Sequence, residues 1–390
     1  MKFRKKHAMY WLGLFLFLSC STPQPLNRVP QKYLGMVQVA LQMAGNNAQE
    51  LQKFLSGCED AHMEGAAFLL SYMPKPDLEK LTAHFLAENV RWAYQAKKLV
   101  KWGAKLPDSI FLNYVLPYAN IHEQRDPWRK VFFEKFYDLV KDIPRPGAAA
   151  VKLNRSIWQM LHVKYSTKRL KADQSPFETI QSGLASCTGL SILLVDACRS
   201  VGIPARLTGV PMWYDDSGNH SWVEVWDNGW HFVESASDDT LDKAWFQERA
   251  ARANHSAWQY GIYALSFKKT GHPYHNIFNP NADYFWSIDV TDRYARKVKS
   301  EELVNLRVKV LDEISGERVA AKVQLWDGSR MVAEGISRGE QNDVNDILTF
   351  KTMLNHNYIL NVIYGKHSVK KAIKTNERRE ELVIIKIRVE

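Results

Sequence analysis

The hydrophobic period of the chain changes along its length, and those changes limit what it can fold into. From about Tyr33 to Val140, apolar residues return at three- and four-residue steps, as in Gln38-Val-Ala-Leu-Gln-Met, Leu78 to Val90, and Trp128-Arg-Lys-Val-Phe-Phe-Glu-Lys-Phe-Tyr-Asp-Leu-Val. That period predicts amphipathic helices, with Pro74, Pro76, Pro107, Pro117 and Pro127 as breaks. Their many aromatic residues read as core. Residues 151–302 mix helical and strand signals. From Leu303 the period is two, in Leu306-Arg-Val-Lys-Val-Leu, Ala320-Ala-Lys-Val-Gln-Leu-Trp, Tyr358-Ile-Leu-Asn-Val-Ile-Tyr and Glu381-Leu-Val-Ile-Ile-Lys-Ile-Arg-Val, with turns at Ser315-Gly316, Asp327-Gly328 and Gly365-Lys366. Several short alternating strands at turn spacing predict a β-sandwich. The expected class is α+β: a helical region over 21–150, a mixed core over 151–302 and a sandwich over 303–390.

Charge excludes one class of function. The chain has 52 Lys+Arg against 42 Asp+Glu, a formal net charge of +10. Four of the positive charges are Lys2, Arg4, Lys5 and Lys6, with no acid near them, and the rest are spread over the chain. No segment forms a basic domain, so no nucleic-acid partner is expected. The early charges precede an apolar run, Ala8 to Leu18, which is too short for a membrane-spanning helix of about 20 residues but suits a signal-peptide core. Its end at Ser19-Cys20 resembles the lipobox of bacterial lipoproteins, with Phe17 where that box usually has Leu. The resemblance implies that residues 1–20 are a lipoprotein signal, that Cys20 is lipidated, and that the chain is exported and lipid-anchored to the bacterial membrane, facing the periplasm or the surface. An ordinary cleaved signal or an uncleaved anchor are the alternatives.

Three cysteines remain, Cys58, Cys187 and Cys198. An odd number in an exported chain leaves at least one free thiol, a candidate nucleophile. On one helix, Cys187 and Cys198 lie about 16 Å apart at 1.5 Å per residue, too far for a disulfide. Gly183 to Ser186 reads as a turn, and Cys187 opens a helix with an apolar face through Leu190, Leu193, Leu194 and Ala197. A thiol at a helix N-terminus faces unpaired N–H groups and the positive end of the macrodipole, so a depressed pKa is expected, and the same N–H groups suit an oxyanion.

Downstream, Asn219-His220-Ser-Trp-Val-Glu-Val-Trp226 and Trp230-His-Phe-Val-Glu234 alternate on either side of Asp227-Asn-Gly229. This predicts a hairpin. A three-residue loop puts His220 and Glu234 on one face as diagonal neighbours, whereas a two-residue loop puts them on opposite faces. In the first register, His220 can exchange a proton with Cys187 while Glu234 orients the imidazole.

Together, Gly183-Leu-Ala-Ser-Cys187, Arg199-Ser-Val-Gly-Ile-Pro-Ala-Arg206, His220-Ser-Trp-Val-Glu-Val and Trp230-His-Phe-Val-Glu234 resemble the core of the transglutaminase-like superfamily, with its papain-like Cys-His-Asp fold. The resemblance implies a catalytic Cys187 at a helix start, packed on a small antiparallel sheet that carries His220 and the acid. The family usually has Asp where this chain has Glu234, and Asp238 or Asp239 could substitute. Gln181, six residues before Cys187, stands at the spacing of the oxyanion-hole Gln of papain-like enzymes. Trp158 and Tyr165 match the family's preceding helix and are expected to pack. The stretch from Val308 to Leu325 resembles the start of carboxypeptidase-regulatory-like sandwich domains, for which a binding or spacer role is expected.

His255, His272 and His275 lack metal-ligand spacing, and no metal or cofactor is assigned. The expectation is a cysteine enzyme that forms a thioester on a peptide or glutamine amide. Water would resolve it in a peptidase or amidase, and an amine in a cross-linking enzyme. Its partners would be a protein or peptide substrate and, through the anchor, a membrane; the oligomeric state is left open. The rival is a binding module that keeps the fold without the chemistry.

Overall fold

The computed structural model describes residues 24–270, 272–273, 285–295, 303–376 and 380–389. The charged leader, Cys20 and His275 therefore lie outside the described residues. Six long helices come first: α1 (Gln31–Met43), α2 (Ala48–Gly57), α3 (Met63–Tyr72), α4 (Ala83–Leu99), α5 (Trp128–Val140) and α6 (Pro146–Leu161). Thr82 starts α4 by accepting a hydrogen bond from the Phe85 N–H at 3.2 Å, and Pro146 opens α6 at a position where no N–H is needed. Val37, Leu51, Phe54, Leu69 and Leu86 bury one face of these helices, in a cluster that runs on into Ile192, Leu207 and Leu265. The N-terminal helices thus share their core with the next part of the chain. Among the described residues, no helix is long and apolar enough to cross a membrane.

Arg129 of α5 fastens the two parts. Its guanidinium is buried and donates to Asn89 Oδ1 at 2.6 Å, to the carbonyls of Val115, Leu116 and Pro117 at 2.8–3.0 Å, and to the Arg199 carbonyl at 3.0 Å. Burial, with Arg199 nearby, pulls its pKa down to about 9. Trp102 adds an indole hydrogen bond to the Gly202 carbonyl at 2.8 Å.

Two helices then lead to a six-stranded antiparallel sheet. Helix α7 (Pro176–Ser182) begins with a reciprocal cap between Ser175 and Glu178 and ends at Gly183, whose φ of +68° suits a residue without Cβ. Helix α8 (Cys187–Ser200) is capped by Ser186, whose Oγ accepts from the Gly189 N–H at 3.0 Å. The strands are β1 (Ala205–Val210), β2 (His220–Trp226), β3 (Trp230–Val233), β4 (Tyr263–Ser266), β5 (His272–Pro273) and β6 (Trp286–Asp289), in the order β3-β2-β1-β4-β6-β5. The sequence suggests an α8 with one apolar face, but every residue from Thr188 to Ser200 is buried. The helix is central, with α5 on one side and the sheet on the other. Its polar groups are accommodated inside: Asp196 accepts from Asn120 at 3.0 Å, and Arg199 donates to the carbonyls of Ala119 and Ala205.

The hairpin adopts the three-residue loop. Trp226 pairs with Trp230 and Val223 with Val233, while Asn228 sits at φ +62° and the Asp227 N–H reaches the Gly229 carbonyl at 2.9 Å. Beyond it lies a sandwich of β7 (Leu303–Asp312), β8 (Lys322–Asp327), β9 (Arg330–Ile336), β10 (Leu348–Met353), β11 (Asn357–Tyr364), β12 (His367–Lys374) and β13 (Glu380–Ile387). One sheet runs β9-β8-β11-β12, the other β10-β7-β13 with β13 parallel to β7. Leu306, Val308, Val323, Leu325, Leu360, Val362 and Ile385 fill the space between them. The sandwich is seated on the core through polar contacts, including Arg307 to Asp215 at 3.2 Å, Lys168 to Glu317 at 2.6 Å and Lys351 to Glu248 at 2.6 Å.

Candidate active site

Cys187 is the first residue of α8, where the backbone N–H groups of the opening turn have no partner within the helix. Hydroxyl contacts hold this end against the hairpin. Thr188 Oγ1 lies 3.0 Å from Ser221 Oγ, and Ser191 Oγ bonds the Ser221 carbonyl at 3.2 Å and meets Ser235 Oγ at 3.1 Å. Close approach of β1 to the start of β2 depends on Gly209, since a Cβ there would stand 2.7 Å from the His220 carbonyl oxygen.

His220 opens β2 and is wholly buried, ringed by Trp213, Trp222, Trp245 and Phe246 with centroids 4.8–6.2 Å away. Its Nε2 lies 2.9 Å from Glu234 Oε2, as the three-residue register requires. Glu234 follows β3, and its backbone is pinned by Asn154 of α6, whose Nδ2 donates to the Glu234 carbonyl at 2.7 Å. The other ring nitrogen, Nδ1, faces Cys187 and a residue the sequence reading missed. This is Asp343, in the loop between β9 and β10 of the sandwich; one atom each of Cys187, His220 and Asp343 lies within 4.8 Å of the others. Asp343 Oδ2 is 3.5 Å from Nδ1, a charge contact rather than a formed hydrogen bond.

The Asp343 loop is firmly built. Arg318 donates to the Asp343 carbonyl at 2.9 Å and the Asn342 carbonyl at 2.6 Å, and the Asn345 N–H donates to Asp343 Oδ1 at 2.8 Å. Two bonds fasten it to the core: the Val344 N–H to Tyr165 Oη at 2.9 Å, and Asn345 Nδ2 to the Asn219 carbonyl at 2.7 Å. Tyr165 therefore does more than pack. Between loop and core lies a cavity of about 470 Å³ whose walls include Cys187, Tyr165, Glu234, Asp239, Arg338 and Asp343.

Electrostatics follow from burial and from two carboxylates around one imidazole. Burial alone pulls His220 down, but Glu234 and Asp343 outweigh it and hold the ring well above its ordinary pKa. Burial pushes the Glu234 carboxyl up, and the charge on His220 only partly offsets that. Burial also acts upward on Asp343, yet its contact with His220 leaves it below the usual carboxylate range. The Cys187 thiol corrects a sequence expectation. It is raised, first by burial and then by the Asp343 carboxylate, against the downward pull of His220 and of the Ser221 N–H. A helix N-terminus alone suggested the opposite, and the sequence had no means of placing Asp343 beside the sulfur.

Of the other candidates, Gln181 stands exposed on α7 and is not among the residues that line the cavity. Asp239 lines the cavity but accepts a hydrogen bond from Ser237 Oγ at 2.7 Å, while Asp238 offers its backbone carbonyl to Arg155. Glu234 is the acid on Nε2. Cys58 and Cys198 are buried free thiols, with burial pushing Cys58 up to about 11. Asp343 lies 123 residues after His220, in a stretch marked in the sequence only as a polar loop between two strands.

A buried Cys-His-acid group, with the Cys at a helix start and the His on an antiparallel strand, sets a candidate nucleophile beside a candidate base. In agreement, residues 138–235 match the model of the transglutaminase-like superfamily, so the chain carries a transglutaminase-like domain. Among solved structures, the chain is similar to a candidate cysteine protease from Cytophaga hutchinsonii (19% identity, 35% of this chain and 46% of that one, TM-score 0.27). It is also similar to red sea bream transglutaminase (10% identity, 71% of this chain and 66% of that one, TM-score 0.32). The chain spans less than two thirds of the length of either protein. No curated protein matches it.

Proposed function

We propose that the chain is a cysteine enzyme that opens a peptide or glutamine carboxamide through a thioester on Cys187. The observation that carries this reading is the division of labour on one imidazole: Nε2 is fixed by Glu234 at 2.9 Å, and Nδ1 faces the sulfur. The thiol proton passes to Nδ1 as Sγ bonds the carbonyl carbon, and the N–H groups at the start of α8 receive the oxyanion. The C–N bond then breaks, and the leaving amine or ammonia departs with the proton from His220. Water gives back a carboxylic acid and regenerates the thiol, whereas a primary amine forms a new amide.

Mass spectrometry of a glutamine-containing peptide, incubated with and without a primary amine, separates these outcomes. Cleavage, deamidation or amine incorporation that is absent from Cys187→Ala supports the reading; no product with any acceptor removes it. The raised Cys187 thiol favours the second reading, a binding module without chemistry. That reading holds if iodoacetamide alkylates Cys187 no faster than an ordinary exposed thiol and His220→Ala leaves the rate unchanged.

The location proposed for this activity is the outside of a bacterial membrane, with the chain anchored through lipidated Cys20. The support is the charged and apolar leader that ends at Ser19-Cys20. Metabolic labelling with a fatty acid is expected to mark the full-length protein and to miss Cys20→Ser. Equal labelling of both proteins would discard the anchor.

A further inference from the structure

Asp343 has no role in the chemistry proposed above, yet the sandwich delivers it to the reacting sulfur. Among the described residues, three ligand-type atoms converge there from separate elements: Cys187 Sγ from the start of α8, His220 Nδ1 from β2, and an Asp343 carboxylate oxygen from the β9–β10 loop. Asp343 is 8% exposed and His220 1%, and neither Asp343 Oδ2 nor His220 Nδ1 completes a hydrogen bond. They face each other at 3.5 Å as a charge contact only, and a buried polar group without a formed hydrogen bond is costly. A single divalent cation would satisfy both of them and the sulfur together.

We propose that Cys187, His220 and Asp343 form a binding site for zinc, and that the ion reversibly silences the nucleophile. The donor set suits this ion, which accepts thiolate, imidazole and carboxylate, while magnesium and calcium favour oxygen ligands. In a tetrahedral zinc site, ligand atoms lie about 3.5 Å apart. The His220–Asp343 pair already stands at 3.5 Å, and the three atoms lie within 4.8 Å of one another, so the widest edge closes by about 1 Å. The outer shell is also present, because Glu234 holds Nε2 at 2.9 Å and so fixes the ring with Nδ1 inward. The fourth position opens onto the 470 Å³ cavity, where water can complete the coordination. On binding, the proton that Sγ and Nδ1 exchange in the proposed chemistry goes to solvent. No bond to carbon is made, so chelation restores the free thiol. Because Asp343 belongs to the sandwich, the ion would also tie that domain across the cleft.

The inference rests on Cys187 being the nucleophile only in its inhibitory part. Its test uses tag-free, chelator-stripped full-length protein and zinc chloride, followed by competition with a chromophoric zinc indicator and by the rate at which iodoacetamide labels Cys187. One equivalent of zinc is expected to bind and to slow labelling at least tenfold, with EDTA restoring the rate. Cobalt in place of zinc should give a thiolate charge-transfer band that is absent in Cys187→Ser. Asp343→Ala is expected to weaken zinc binding more than tenfold, and the near-isosteric Asp343→Asn covers the case in which the alanine variant misfolds. Zinc binding that is weak, or equal in folded Asp343 variants and the parent, overturns the proposal. If Cys187 of the metal-free protein labels quickly but zinc neither binds nor protects, the zinc site alone fails. If zinc binds through the three residues while the metal-free thiol stays inert, the enzyme reading fails and a plain metal site remains.

Discussion

Glu234→Gln is expected to lower kcat/KM on whichever amide substrate the enzyme accepts by on the order of 10³-fold, mostly through kcat. The carboxylate lies 2.9 Å from His220 Nε2 and is the group that fixes which way the ring faces. Gln can present either its carbonyl or its NH₂ to that nitrogen, and the wrong choice places the proton on the side that must accept one from sulfur. Loss of such an orienting acid in a Ser-His-Asp enzyme costs about 10⁴-fold with the geometry otherwise intact. Glu234→Asp should recover part of the loss, since the shorter acid keeps the charge but leaves a longer gap. Steady-state kinetics check this, with circular dichroism to show that the variant is folded. A Glu234→Gln enzyme within threefold of the parent would transfer the orienting role elsewhere.

The largest expected effect on stability lies far from the sulfur. Arg129→Ala strips a buried guanidinium from five acceptors, four of them backbone carbonyls. Each orphaned buried acceptor costs about 1–3 kcal/mol before the cavity is counted, though neighbours relax and the terms do not add in full. A loss on the order of 3–5 kcal/mol follows, comparable to breaking a buried charged network elsewhere. Arg129 donates to α4, α8 and the 115–117 segment at once, so the loss should show as separation of the helical region from the core. Urea unfolding followed by tryptophan fluorescence measures it, and a change below about 1 kcal/mol would show that the network is dispensable.

Much of this architecture is local and therefore legible. Ser186 before Cys187, and Ser175-Pro-Phe-Glu178 before α7, announce helix starts, because their side chains cap the N–H groups that follow. The hairpin was legible as a hairpin but not in register. Asn228-Gly229 alone favours a two-residue turn, and the chain instead uses Asp227, Asn228 and Gly229 with one left-handed residue. What settles the register is tertiary: Trp222 and Phe232 pack against Phe246 and Tyr294 on one side while Val223, Val225 and Val233 join the core around α8 on the other. The raised thiol and Asp343 were illegible for the same reason. Both depend on how the sandwich is seated, and nothing in the spacing of 187, 220 and 234 encodes a group that arrives from residue 343.

The parallel pairing of β13 with β7 sets an order of events. Asn305 meets Glu380 across 75 residues of chain, and the sheet below the Asp343 loop is incomplete until that last strand has been made. Cys187, His220 and Glu234 span only 48 residues of chain. Contacts of such different range form at different speeds, the local ones first. On refolding, the nucleophile and its base are therefore expected to come together before the sandwich brings the Asp343 carboxylate to them.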